Sequence, residues 1–253
     1  MTLLQALWLG IAEGLTEFLP VSSTGHLILV SHWMGLQGEA VKAFEVVIQA
    51  GALGAVLVLY FGRLRSVSSL RNLLIAFLPA GIAGFLLHRL VKEHLFGPKP
   101  VAAALAVGGL FMIWLARWVR RRPLPPSREL ETLGWGEALV IGLAQCLALW
   151  PGTSRSMVTI AAGLLLGFSA PAAAEFSFLL AVPTLGAATA FDLMKNGSLL
   201  ARETSMGTLA IGFMAAAVTA GLAVRGFVSY LNRRGLAPFG WYRLILALVV
   251  FFT

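Results

Sequence analysis

Apolar residues run unbroken for membrane-spanning lengths along most of this chain. They lack the strict alternation of a lipid-facing barrel strand, which excludes an outer-membrane barrel. The readable runs cover about 44–61, 72–91, 101–118, 176–193, 207–227 and 240–253. A hydrocarbon core about 30 Å thick needs about 20 apolar residues per helix, so these runs predict six transmembrane helices. The last run is short, and predicts a tilted helix or one that begins earlier, near Ala237. Two further segments, about 3–30 and 135–166, are apolar but broken in the middle by a proline-centred polar cluster. The first cluster is Pro20-Val-Ser-Ser-Thr-Gly-His26 and the second is Pro151-Gly-Thr-Ser-Arg-Ser156.

The two broken segments resemble each other. At an offset of 132 residues, Ala6, Gly10, Ala12 and Leu15 meet Ala138, Gly142, Ala144 and Leu147. A one-residue gap then brings Pro20 and Ser23 onto Pro151 and Ser154, after which Gly35 meets Gly167 and Phe44 meets Phe176 at the first offset. The matches predict a duplication, with repeats at about 3–118 and 135–253 in one membrane domain spanning 1–253.

Loop charges set the orientation. Arg63, Arg65 and Arg71 lie in 62–71; Arg117, Arg120, Arg121, Arg122 and Arg128 in 117–131; Arg225, Arg233, Arg234 and Arg243 in 225–243. The stretches 31–43 and 192–206 are balanced, and 88–99 is mildly basic. The strongly basic loops alternate with the weaker ones, which places the basic ones in the cytoplasm. That alternation holds only if each broken segment leaves on the face it entered. Each therefore reads as a re-entrant helix–turn–helix, and with three spans per half the second half is inverted. The fold class expected is an all-α polytopic membrane protein with six spans and two re-entrant hairpins, whose tips meet near the midplane. The first hairpin opens outward and the second from the cytoplasm.

Composition agrees. Of 253 residues, 58% are hydrophobic and 12% charged, about half the roughly 25% of a soluble domain. The first apolar segment has no basic n-region and holds two acids, which argues against a cleavable signal. One cysteine, Cys146, excludes a disulfide framework and a cysteine metal site. The net charge of +8 is what cytoplasmic loops and anionic lipid require, and gives no reason to expect nucleic acid.

Glu13 and Glu17 share one helix face four residues apart. Two acids in an apolar run are expensive and repel each other, so they face a polar cavity and bind a cation or share a proton. Mg²⁺ or Ca²⁺ is the natural compensator, because both take carboxylate oxygens together with phosphate. Ser22, Ser23, Thr24 and His26 offer a nucleophile with a base, or a cradle of hydroxyls and backbone N–H groups for phosphate. Ordinary N-capping after a proline accounts for the hydroxyls equally well. Arg155, among Thr153, Ser154 and Ser156, needs an anionic partner at that depth, and its planar fork suits phosphate. The partner is Glu13, Glu17 or a ligand. In the register above, Gln145 and Leu149 replace the two acids and Arg155 has no basic counterpart, so one composite site is expected. Glu45, Gln49 and Glu175 are further candidates to line it. His32, His88, His94 and most of the seven tryptophans fall at or near segment ends, as an interfacial belt does.

The residues 13–26, Glu13-Gly-Leu-Thr-Glu17-Phe-Leu-Pro-Val-Ser-Ser-Thr-Gly-His26, closely resemble the first signature of the bacterial undecaprenyl-diphosphatase (bacitracin-resistance) family. Pro151-Gly-Thr-Ser-Arg-Ser156 resembles the second, and the likeness extends through Phe44-Glu-Val-Val-Ile-Gln49 over the whole span layout. Thr153 and Met157 are conservative departures. The resemblance implies a multi-pass inner-membrane phosphatase. It would convert undecaprenyl diphosphate to undecaprenyl phosphate and inorganic phosphate, with a divalent cation, from the extracytoplasmic face. Glu13 and Glu17 would hold the cation on the diphosphate. Arg155 and Ser154 would clamp phosphoryl oxygens, with Ser22, Thr24, Gln49, Thr153 and Ser156 around the substrate. Ser23 attacking with His26 as base is the expected chemistry; His26 itself, or a metal-activated water, is the alternative nucleophile. An inverted-repeat transporter or lipid flippase is the rival reading, and association as a homodimer stays open.

Overall fold

The structure, a computed structural model, describes residues 1–95, 97–121 and 128–253. Arg122 and the side chain of His88 lie outside the described residues. Eleven helices are present among those described: α1 (Leu3–Thr16), α2 (Ser23–Trp33), α3 (Glu39–Leu59), α4 (Phe61–Leu64), α5 (Val67–His94), α6 (Pro98–Arg121), α7 (Trp135–Gln145), α8 (Arg155–Leu165), α9 (Ala170–Glu203), α10 (Met206–Arg234) and α11 (Ala237–Phe251). Two short 3₁₀ turns, Leu130–Thr132 and Cys146–Leu149, complete the helical structure. No strand occurs among the described residues.

The helices Glu39–Leu59, Ser68–Leu87 within α5, Pro98–Arg121, Ala170–Glu203 and Met206–Arg234 are long and apolar enough to cross a bilayer. The sixth expected span is α11, which does begin at Ala237 and has 15 residues. Its rise of about 22 Å is short of the hydrocarbon core. Two expected loops are helical instead. α9 continues through 192–203, and α10 runs to Arg234, so that only two residues separate it from α11. Charged residues at the end of a long helix read as a loop when apolarity alone marks the span.

Both broken segments are hairpins. α1 has 14 residues and α2 has 11, rises of about 21 and 16 Å, so neither crosses alone. Gln5 Nε2, at the start of α1, donates to Met34 O, just past α2, at 3.4 Å. The chain therefore leaves on the face it entered. In the second segment Arg128 N donates to Gly167 O at 3.2 Å and Ser169 N to Arg128 O at 2.9 Å, closing the mouth of the α7–α8 hairpin. The mouths lie on opposite faces. α3 starts beside the first mouth and crosses. Beyond its end Arg63 meets Glu131, before α7, and Glu175, near the start of α9, the latter at 2.8 Å.

Packing repeats this exchange: α1 packs along α10 and α7 along α5. Gly10 and Gly142, matched at the offset of 132, are both points of close backbone approach. A Cβ would lie 2.4 Å from Gly212 O at Gly10, and 2.3 Å from Ala76 O at Gly142. The core between the halves centres on Phe18, Phe44, Ile48, Met112 and Phe178, with Phe18 edge-on to Phe178 at 5.7 Å.

The register across the tips needs no gap. Helix starts Leu3 and Trp135, N-caps Ser22 and Ser154, and helix starts Ser23 and Arg155 are each 132 residues apart. Pro20 thus corresponds to Gly152 rather than Pro151, and Ser23 to Arg155 rather than Ser154. Both turns contain a proline, but at different steps of the turn, and matching the prolines shifted the sequence alignment by one.

Candidate active site

Pro20 stops α1 at Thr16, because a proline has no N–H to donate to the carbonyl four residues back and its ring collides with it. The chain turns through Glu17–Val21 and re-enters a helix at Ser23. The N-cap Ser22 has φ of 69°, and its counterpart Ser154 has φ of 72°. These are the two non-glycine residues with positive φ among those described, and such backbones cost of order 1–3 kcal/mol and cluster at functional sites. Each hydroxyl caps its helix: Ser22 Oγ accepts from Gly25 N at 3.5 Å and Ser154 Oγ from Met157 N at 3.3 Å. The N-termini of α2 and α8 are thus both brought to the contact of the two hairpins, where their free N–H groups favour an anion.

The tips touch. Ser156 Oγ donates to Leu19 O at 2.8 Å, and Ser154 Oγ lies 3.0 Å from Ser156 Oγ. Glu17, 8% exposed, joins the two hairpins: Ser23 Oγ donates to its Oε2 at 2.6 Å, and Arg155 Nη2 reaches its Oε1 at 3.4 Å. A 2.6 Å O–H···O⁻ distance is that of a charge-assisted bond. Arg155 Nη1 donates to Ser177 O at 2.8 Å, while its Nε is buried with no hydrogen-bond partner. Thr159 Oγ1 donates to Arg155 O at 2.9 Å and lies 2.7 Å from Ser177 Oγ, so it ties the backbone of Arg155 to the residue whose carbonyl holds its guanidinium. One turn before Glu17, Glu13 is 1% exposed and neither of its oxygens receives a hydrogen bond.

That orphaned carboxylate beside a second one is the donor set a hard divalent cation takes, and its oxygen chemistry fits Mg²⁺ or Ca²⁺. No group of three or more His, Cys, Asp and Glu exists among the described residues. Glu13 and Glu17 could therefore supply only part of a coordination shell, which suits a cation shared with phosphate oxygens. Overall the site places a hydroxyl on a carboxylate, a half-free guanidinium opposite, and two helix N-termini around them. It can bind a phosphoryl group and attack it.

The sequence profile of the family described as bacitracin resistance protein BacA matches residues 6–249. The chain belongs to the BacA family. It is also similar to the undecaprenyl-diphosphatase of Sorangium cellulosum (strain So ce56), 52% identical over 97% of this chain and 84% of that protein. The undecaprenyl-diphosphatase of Methylococcus capsulatus (strain ATCC 33009 / NCIMB 11132 / Bath) is 49% identical over 99% of this chain and 94% of its own length. That of Wolinella succinogenes is 48% identical over 100% and 98%.

The two BacA-like signatures are thus the two tips. Within them the expected Ser23–His26 pair is replaced. His26 Nδ1 lies 2.8 Å from Ser22 O and its Nε2 2.6 Å from Tyr242 OH, with the two rings stacked at 5.6 Å. One helical turn separates residues 22 and 26, so the imidazole folds back on its own helix while Ser23 turns to α1. Thr24 and Thr153 are half-buried at the tips, and Gln49 is half-buried on α3. Glu45 accepts from Ser31 Oγ at 3.2 Å, near the hairpin mouth. Glu175 does not line the site, being held by Arg63 at the opposite face.

Arg243 is the largest revision. Counted above as a loop charge, it is 0% exposed, inside α11 and against both tips. Its place three residues into the run 240–253, flanked by aromatic and aliphatic residues, is the signal that could have marked it as interior. Ser177, Thr159 and Tyr242 carried no such signal, because single hydroxyls in apolar helices are common.

Proposed function

We propose that this BacA-family chain is an integral membrane phosphatase. It hydrolyses undecaprenyl diphosphate to undecaprenyl phosphate and inorganic phosphate, returning the lipid carrier to peptidoglycan synthesis and thereby conferring bacitracin resistance. The observation that carries the reading is the 2.6 Å bond from Ser23 Oγ to Glu17, with Arg155 on the other oxygen of the same carboxylate.

Glu17 takes the hydroxyl proton as Ser23 Oγ forms a bond to the terminal phosphorus. The bond from that phosphorus to the bridging oxygen breaks, and undecaprenyl phosphate leaves with the electron pair. Water then cleaves the phosphoserine, releasing inorganic phosphate and returning the proton to Ser23. Arg155 offers its unpartnered Nε to the equatorial oxygens, and the N–H groups opening α2 and α8 receive the remaining charge. Glu13 and Glu17 would hold Mg²⁺ or Ca²⁺, whose charge, when bound, offsets that of the diphosphate. The isoprenoid tail lies among the lipid-facing helices.

The two halves read as duplicated units of opposite orientation. The face carrying Arg63, Arg65, Arg71 and the end of α6 is the more basic, which assigns it to the cytoplasm of a bacterial inner membrane. The α1–α2 hairpin then opens to the extracytoplasmic side.

Detergent-purified protein releases phosphate from undecaprenyl diphosphate in this reading, and both EDTA and Glu17→Gln abolish the release. Absence of release from monodisperse wild-type protein supplied with Mg²⁺ or Ca²⁺ would overturn the enzyme and favour transport of an intact lipid diphosphate.

A further inference from the structure

A cation buried in a membrane protein normally faces an acid, a ligand or a water-filled cavity. Arg243 does otherwise. Its Nε donates to Leu105 O at 3.4 Å, Nη1 to Pro20 O at 3.3 Å, and Nη2 to Ala104 O at 3.1 Å and Gly152 O at 2.9 Å. None of these partners is a side chain. Pro20 and Gly152 are 132 residues apart, so in the register set by the helix caps they are the same carbonyl of the two tips. Each stands two residues before the left-handed N-cap of its hairpin, Ser22 or Ser154, and three before Ser23 or Arg155. Gly152 itself has φ of 94°, a left-handed backbone that favours glycine.

We propose that Arg243 is a positioning residue that fixes the two tips relative to each other, and with them Ser23 and Arg155, by binding this pair of equivalent carbonyls. The inference rests on the phosphatase reading for its kinetic consequence only. The tips have two further links, Ser156 Oγ to Leu19 O and Arg155 Nη2 to Glu17 Oε1, but the first holds a single carbonyl and the second joins side chains rather than the turns themselves. Arg243 ties both turns to the same rigid element, the close α6–α11 pair. Only a guanidinium does this: its donors form a fixed planar fork, whereas an ammonium is a compact point charge with no such geometry. The surroundings are shaped to the fork. A Cβ at Gly108, on α6, would lie 2.4 Å from Arg243 Nη2. Gly108→Ala therefore displaces the guanidinium without changing any charge.

The test compares wild type, Arg243→Lys and Gly108→Ala, purified in detergent, by amide hydrogen exchange and by phosphate release. Exchange is expected to rise at least about tenfold in 19–23 and in 151–155 together, in both variants, with α3 and α10 unchanged. kcat is expected to fall about 10²-fold, the cost of misplacing reacting groups by about 1 Å, with KM within about threefold. Unchanged exchange, a rise in one tip only, or a rise throughout the protein would overturn the proposal. So would a kcat within about threefold of wild type, or a loss confined to KM, which would make Arg243 a ligand contact. If Arg243→Lys does not fold, Gly108→Ala carries the same outcomes. Wild type that releases no phosphate would refute the phosphatase and leave the exchange result to decide on Arg243.

Discussion

Ser23→Ala, Glu17→Gln and their combination form a cycle that tests whether the hydroxyl and the carboxylate act as one unit. Ser23 Oγ points at Glu17 Oε2 from 2.6 Å, a distance typical of a hydroxyl on an ionised carboxylate. Positioned general bases contribute about 10²–10⁴-fold, or about 3–5 kcal/mol of activation free energy. Ser23→Ala removes the attacking atom, and Glu17→Gln leaves the hydroxyl with no group to take its proton. Each single variant should therefore lose at least about 10³-fold in kcat, and the double variant should be no worse than the worse single one. Glutamine also weakens the tie to Arg155, though its amide oxygen can still accept from the guanidinium. The assay is phosphate release from undecaprenyl diphosphate, checked against thermal unfolding of each purified variant. Losses that multiply in the double variant would show that the hydroxyl and the carboxylate do not act as one unit. Ser23→Ala within about tenfold of wild type would remove the serine as nucleophile and leave a water in its place.

Arg155→Lys keeps the charge but loses the fork and the free Nε, so kcat should fall about 10²–10³-fold, as for removal of one transition-state donor, with little change in unfolding temperature. A kcat within about fivefold would refute the clamp. EDTA should abolish turnover and added Mg²⁺ or Ca²⁺ should restore it; full activity in EDTA would remove the cation from Glu13. His26→Gln should cost less than Ser23→Ala by about tenfold or more in kcat, since the imidazole bonds Ser22 O and Tyr242 rather than the attacking hydroxyl. Equal losses would restore His26 as the base. Gly142→Ala should destabilise the protein by about 1–3 kcal/mol through the collision with Ala76 O, whereas Gly136→Ala, which meets nothing within 4 Å, should not. Equal unfolding temperatures for these two would contradict the α5–α7 packing.

Spans and hairpins were legible because the bilayer enforces one rule on every segment: backbone groups must be satisfied within the helix, so apolar runs of sufficient length are helices. That Arg155 needs an anionic partner from outside its own segment was legible for a related reason, the cost of a lone charge at that depth; that the partner is Glu17 rather than Glu13 or a ligand was not. What escaped was set by backbone geometry. The left-handed caps at Ser22 and Ser154 leave no mark in residue type, and without them the prolines pulled the alignment out of register and hid the equivalence of Ser23 with Arg155. Arg243 escaped because counting basic residues near the end of a span cannot separate a loop arginine from one that turns back among carbonyls. Ser23 and His26 stand three apart and so share a face of α2, which is what suggests the pair; it fails because Glu17 takes the hydroxyl while Ser22 O and Tyr242 take the imidazole.

The equivalence of Ser23 and Arg155 limits how such a site can be assembled. Two copies of the first half would bring four carboxylates and two hydroxyls to the midplane with no cation to balance them. Two copies of the second would bring a pair of guanidiniums facing Gln145 and Leu149. Only the mixed pairing is both neutral enough to bury and able to act on a phosphoryl group. The activity therefore belongs to the difference between the halves, and a substitution that made them more alike at these positions would remove chemistry while leaving the architecture intact.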